Sequence, residues 1–201
     1  MTVHQTTKAN ALDRRQVVAR LLERRGDALV VGGLGASTYD IAACGDHARN
    51  FYLWGAMGGA VMIGLGLALA QPALPVLVIT GDGEMLMGLG SLATVGLQQP
   101  GNLSIVVLDN EVYGETGGQA SHTAVNVDLT GVARACGLKA PAALTTLADI
   151  DGFAAGLPDV TLGPRFVSVK IDAANEARVL AIRDGQFIMT RIRASLGLAP
   201  I

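Results

Sequence analysis

Four times between residues 28 and 109 the chain runs through a short apolar stretch and then breaks on glycine or a polar turn. ALVVG at 28–32 precedes GGLGAS, NFYLW at 50–54 precedes GAMGG, PVLVIT at 75–80 precedes GDG, and LSIVVLD at 103–109 precedes a polar, glycine-rich loop. Runs of this length, rich in β-branched residues and bounded by turn signals, read as buried strands. Helical patterns lie between them. Residues 11–25 place Leu12, Val17, Val18, Leu21 and Leu22 on one face, with Gly26 as a stop. Helices are predicted after a cap at Ser37 or Thr38, over 57–71 and 84–98, and near 128–136, 146–156 and 186–197, with one more strand, FVSVKI, at 166–171. Such alternation predicts an α/β fold: a three-layer, doubly wound, mainly parallel sheet with helices on both faces. Ligands of such sheets bind beyond the carboxyl ends of the strands, which is where the four turns would converge.

The stretch from Asn50 to Gly81 carries no charged residue. A membrane helix needs about 20 unbroken apolar residues. Here Gly55, Gly58, Gly59, Gly64, Gly66, Gln71, Pro72 and Pro75 interrupt the run, so it reads as a buried helix followed by a central strand. The 201 residues contain no linker-like tract, which predicts one domain over 1–201. A net charge of −2 without a basic stripe argues against nucleic acid as a partner. The two cysteines, Cys44 and Cys136, show no metal or redox spacing and are expected to be reduced, buried thiols in a cytoplasmic protein. The opening MTVHQTTKANALDRR lacks the apolar core of a signal peptide.

A glycine after a strand is ordinarily just a tight turn. The dinucleotide fingerprint G-x-G-x-x-G fails, since Thr38 stands where the third glycine belongs after Gly33 and Gly35, and no phosphate-binding G-x-x-x-x-G-K-[ST] occurs. The pair GDG and DN is more specific. Asp82 follows one buried strand and Asn110 the next, so their oxygens can meet above the sheet. A carboxylate, an amide oxygen and a backbone carbonyl make half the octahedron that Mg²⁺ prefers, leaving the rest to diphosphate and water. Backbone N–H groups at Gly35, Gly83 and the following helix starts could receive the phosphate oxygens.

GDG followed after about 25 residues by an Asn-containing pair is the motif of thiamine-diphosphate enzymes, and NFYLWGAMGG, IGLGLALA, GDGEMLMGLGSLATV and VVLDNEVYGETGGQASHT extend the likeness. Over roughly residues 28 to 172 the chain resembles the diphosphate-binding half of the sulfopyruvate and phosphonopyruvate decarboxylase group. The resemblance implies Mg²⁺ bound by Asp82, the Asn110 side chain and the Val112 carbonyl. Gly83, Glu84, Ser37 and Thr38 would contact the diphosphate, with Tyr113 nearby in the following loop. Gly55 and Met57 would meet the aminopyrimidine, and the Met57 side chain would hold the cofactor bent. Two departures stand out. Glu84 replaces a small residue and is expected to point away and stabilise its own helix start, and Asp109 and Glu111 bracket Asn110 with acid. Tyr113, Glu115, Gln119, His122 and Thr123 are candidates for the substrate end, with His122 a candidate proton carrier. In the family a pyrimidine-binding domain supplies the activating glutamate. No such domain fits in 201 residues, so a partner subunit in a hetero-oligomer is expected to donate it, and the substrate would be a small 2-oxo acid. A carboligase, a 2-oxoacid oxidoreductase subunit and a catalytically silent cofactor-binding scaffold remain open alternatives.

Overall fold

The computed structural model describes residues 11–174 and 176–199. The polar residues 1–10 of the opening stretch, including His4, lie outside the described part. Five parallel strands form the central sheet in the order β2-β1-β3-β4-β7: β1 (Leu29–Gly32), β2 (Asn50–Tyr52), β3 (Val76–Gly81), β4 (Leu103–Asp109) and β7 (Arg165–Lys170). Their interior residues are buried on both faces, which is why the runs lack polar alternation.

Helices cover both faces. One layer holds α1 (Arg14–Glu23), α2 (Ala36–Ala43) and α7 (Leu147–Ala155), packed on one another through α1. Opposite lie α3 (Ala60–Ala70), α5 (Ser91–Gln98) and α6 (Leu129–Ala135), while α8 (Gly185–Ser195) packs on the edge strand β2. The buried Asn102 fastens the end of α3 beneath the sheet, its amide donating to the Gln71 and Leu74 carbonyls at 3.0 and 2.7 Å.

Several expectations are corrected. The helix predicted over 84–98 is two helices, α4 (Asp82–Met87) and α5, because Gly88 passes so close to the Gly58 carbonyl that a side chain there would collide with it. That contact presses the GAMGG turn against the end of α4. The cap of α2 is Gly35 at φ 83°, not Ser37 or Thr38, whose hydroxyls instead donate back to the Gly33 carbonyl at 3.1 and 2.7 Å. The loop after β4 contains an antiparallel pair, β5 (Val112–Tyr113) and β6 (Gln119–Ala120), flanked by 3-10 turns. Cys44 is exposed and Cys136 half-buried, so neither is a buried thiol. Among the described residues, no helix is long and apolar enough to cross a membrane.

Candidate functional site

A cavity of about 540 Å³ opens at the carboxyl edge of β3 and β4 and is lined by the turns that follow β1, β3 and β4 together with Met57 of the GAMGG turn. Asp82, Gly83, Glu84, Asn110, Val112, Tyr113, Met57 and Ser37 all line it. Of the other predicted residues, Thr38 is buried beneath the α2 start, Gly55 is exposed in its turn, and His122 stands outside the cavity wall.

Asp82 opens α4 and is 2% exposed. Its Oδ2 accepts from the Ser121 hydroxyl at 2.5 Å and the Thr123 hydroxyl at 3.1 Å. Among the described residues no basic side chain pairs with it. Burial pushes its carboxyl above the ordinary value, and the charge of Asp109 adds to that push, while the two hydroxyls oppose it. Asn110 turns its Oδ1 to the Val112 amide at 3.1 Å, a local turn that carries Glu111 at φ 64°. An amide oxygen has two lone pairs, so one remains for another partner.

The acids around Asn110 are not left uncompensated. Asp109 accepts from the Lys170 ammonium at 2.6 Å on Oδ2 and from Thr123 at 2.7 Å on Oδ1, and Lys170 also reaches Glu111 at 2.9 Å. Burial alone would lower the Lys170 ammonium pKa, but the two carboxylates hold it above its usual value. The lysine was legible in principle. It ends an apolar strand, and the register pairs it directly with Asp109 across β4 and β7. Ser121 had no such signal, because its contact with Asp82 spans 39 residues of sequence.

Glu84 takes a different place from the one expected. It is 4% exposed, and its Oε2 accepts from the Leu34 amide at 2.9 Å and the Thr80 hydroxyl at 2.8 Å, so it braces the first turn instead of its own helix start. Gly33 is obligatory above it, since a side chain there would strike the carboxylate. Burial raises the Glu84 pKa, and the Thr80 hydroxyl with the Leu34, Ala60 and Gly58 amides works against that rise. The turn after β1 and the end of β3 therefore meet on one side chain.

Tyr113 lies over Gly83, where an added Cβ would come within 2.7 Å of the ring, and its hydroxyl is 3.2 Å from His122 Nδ1. His122 thus communicates with the cavity through Tyr113. Glu115 pairs with Arg178 at 2.9 Å, and the Arg178 guanidinium sits 5.7 Å from the Tyr39 ring centroid, which brings the segment after β7 to the cavity rim. Gln119 bonds within its own hairpin, to Thr116.

The profile described as thiamine pyrophosphate enzyme, C-terminal TPP binding domain, matches residues 33–171. The chain belongs to the thiamine pyrophosphate enzyme family. Among relatives of this family, it is 46% identical over 166 residues to a phosphonopyruvate decarboxylase of Streptomyces viridochromogenes, covering 82% of this chain and 40% of that protein. It is 42% identical to sulfopyruvate decarboxylase subunit beta of Methanocaldococcus jannaschii, covering 62% of this chain and 66% of the relative. The benzoylformate decarboxylase structure from Polynucleobacter necessarius superposes with a TM-score of 0.66 at 18% identity, over 86% of this chain and 36% of that one, a likeness of fold. The chain thus spans well under half of the first of these relatives and just under two thirds of the second.

The residues fit what the thiamine pyrophosphate family binds. The start of α2 has no side-chain cap, so the first-turn amides of Ala36 and Ser37, two residues that line the cavity, have no intrahelical partners, as an anion site requires. Asp82 is a desolvated carboxylate beside a spare amide oxygen, and among the described residues no cluster of three His, Cys, Asp or Glu side chains gathers there. A cation with few protein ligands that completes its shell with phosphate and water suits this set, which favours Mg²⁺ over zinc.

Proposed function

We propose that the chain is the diphosphate- and Mg²⁺-binding part of a thiamine-diphosphate-dependent 2-oxo acid decarboxylase, releasing CO₂ and an aldehyde together with a pyrimidine-binding subunit. The observation that carries this reading is the buried, cation-free Asp82 in one cavity with Asn110, Val112 and the uncapped start of α2. The names of the relatives, phosphonopyruvate decarboxylase and sulfopyruvate decarboxylase subunit beta, support the reaction and a 2-oxo acid with a second acidic group. The word subunit in the second name supports a hetero-oligomer, and a cytoplasmic site is consistent with the absence of a membrane-spanning helix among the described residues.

In this reading Asp82, Asn110 and the Val112 carbonyl hold the metal, and the amides of Ser37 and Gly83 receive phosphate oxygens. Bound thiamine diphosphate supplies a nucleophilic carbon and an electron sink. Met57 would pack against the heterocycle, and Tyr113 on the cavity wall, with His122 bonded behind it, forms a hydroxyl-to-imidazole pair that would relay a proton. The activating glutamate comes from the partner.

A relative named 2-oxoacid:ferredoxin oxidoreductase 2, subunit beta, from Aeropyrum pernix is 40% identical but over 47% of this chain, so the decarboxylase reading has the broader support. Calorimetry with thiamine diphosphate and Mg²⁺ tests the cofactor assignment. Asp82→Ala is expected to abolish Mg²⁺-dependent binding, and undiminished binding would refute it. An assay of the reconstituted complex on 2-oxo acids tests the reaction, with aldehyde release expected and acceptor reduction pointing to the oxidoreductase instead.

A further inference from the structure

Outside the stretch matched by the family profile, one nearly enclosed cation reaches the cavity. Arg14 opens α1, is 7% exposed and lines the cavity beside Ala36 and Ser37. It belongs there because residue 12 bridges to Ile171 just past the end of β7, which brings the start of α1 to the carboxyl edge of the sheet. Its counter-ion is the fully buried Asp40 of α2, with Arg14 Nε 2.9 Å from Oδ2. Asp40 is shared, however. Arg15 Nε donates to its Oδ1 at 3.1 Å, so one carboxylate faces two guanidinium groups.

An arginine that merely staples two helices uses its planar fork on the carboxylate, two parallel N–H bonds at once. Arg14 does not. Its Nε and the Asp40 Oδ2 lack hydrogen-bond geometry despite their closeness, and Nη1 and Nη2 make no hydrogen bond with the described residues. Of the charged side chains on the rim, Glu176 pairs with Arg15 at 3.6 Å and Arg178 with Glu115 at 2.9 Å, while the buried Asp82 and Glu84 on the same cavity have no basic partner among the described residues. A nearly enclosed guanidinium with donors to spare in a cavity calls for an oxyanion with several acceptor atoms.

Building on the cofactor reading above, we propose that Arg14 is a metal-independent oxyanion-binding residue of the cavity, its Nη1 and Nη2 donating to a tetrahedral oxyanion. Two sources share that chemistry: the cofactor's diphosphate, held at the neighbouring α2 start, and the second acidic group of a phosphonate- or sulfonate-bearing substrate. In either case the residue adds positive charge that chelation cannot remove.

The test is calorimetric titration of the whole chain with inorganic pyrophosphate, with and without Mg²⁺, and of the Mg²⁺-thiamine-diphosphate form with sulfoacetate. Arg14→Met alone would strip the buried Asp40 of one partner, so the variant used is Arg14→Met with Asp40→Asn, which removes both charges, and its folding is checked by its melting curve. Arg14→Lys serves as the conservative control. Loss of about 10- to 100-fold in metal-free pyrophosphate affinity in the double variant, with Arg14→Lys retaining part of it, supports the proposal and assigns the diphosphate. Unchanged pyrophosphate binding with weakened sulfoacetate binding supports it and assigns the substrate. Equal binding of both probes by the folded double variant and the unsubstituted chain overturns it. An unsubstituted chain that binds neither pyrophosphate nor thiamine diphosphate with Mg²⁺ overturns the cofactor reading and this proposal with it.

Discussion

Two hydroxyl protons, those of Ser121 and Thr123, serve four close oxygen contacts: Ser121 to Asp82, Ser121 to Thr123, Thr123 to Asp82 and Thr123 to Asp109. Two donors cannot fill four contacts, so the pair of carboxylates is short of positive charge on the Asp82 side, while Lys170 satisfies the Asp109 side. The hydroxyls fix Oδ2 of Asp82, and on the proposed reading this orients the rest of the carboxylate toward the metal. Ser121→Ala and Thr123→Val are each expected to weaken Mg²⁺-dependent thiamine diphosphate binding about tenfold, the usual cost of removing a group that orients a ligand. Titration of Mg²⁺ at fixed cofactor measures this, and unaltered affinity would show that Asp82 needs no such support. Lys170 makes a second prediction. Its ammonium pKa lies above the ordinary 10.5, so the stability it contributes is complete at lower pH and is lost as pH rises through that raised folded value. Lys170→Met should therefore cost about 1 kcal/mol between neutral pH and about pH 10, a figure discounted for solvent screening, and should cost progressively less above that. Urea denaturation across that range checks the trend, and a penalty independent of pH would assign the loss to packing.

At the level of elements, the ordering of the sheet depends on small anchors placed where helices end. Asn102 precedes β4 and binds carbonyls beyond the end of α3, so Asn102→Ala removes these bonds from partly buried carbonyls and should cost about 1–3 kcal/mol in chemical denaturation. A change under half a unit would mean that water replaces the amide. The strands and helices were legible because each keeps its pattern for long enough to register: four consecutive apolar residues in β3, or the spaced Val17, Val18 and Leu21 of α1. The β5–β6 hairpin was not, because strands of two residues carry no period. The break at Gly88 was hidden for another reason. Its cause is the carbonyl of Gly58, a contact between turns that neither local sequence announces. The same holds in the site. Asp82 and Asn110 were found since each sits where a strand ends, whereas Arg14 and Arg178 arrive from segments far from any motif.

For the molecule as a whole, the cavity lies on a surface with apolar edges. Met57 and Met87 line it while remaining exposed, Met87 at 64%, and the uncharged α3 nearby exposes Met62 and Leu69. A pyrimidine-binding subunit that closes the site would cover the two cavity methionines. Met87→Lys should then reduce co-purification with that subunit at least several-fold while leaving the melting temperature of the isolated chain unchanged, because the side chain touches little within its own fold. Sedimentation of the mixed subunits provides the measurement, and intact association would place the contact on another face.

Glu84 fastens the Leu34 turn to the start of α4 from beneath, so the wall of the cavity on the α2 side is locked. Another wall is Tyr113 at the head of a hairpin whose second strand is exposed. A guest of this cavity therefore meets a braced wall on one side and the tyrosine of an outlying hairpin on the other.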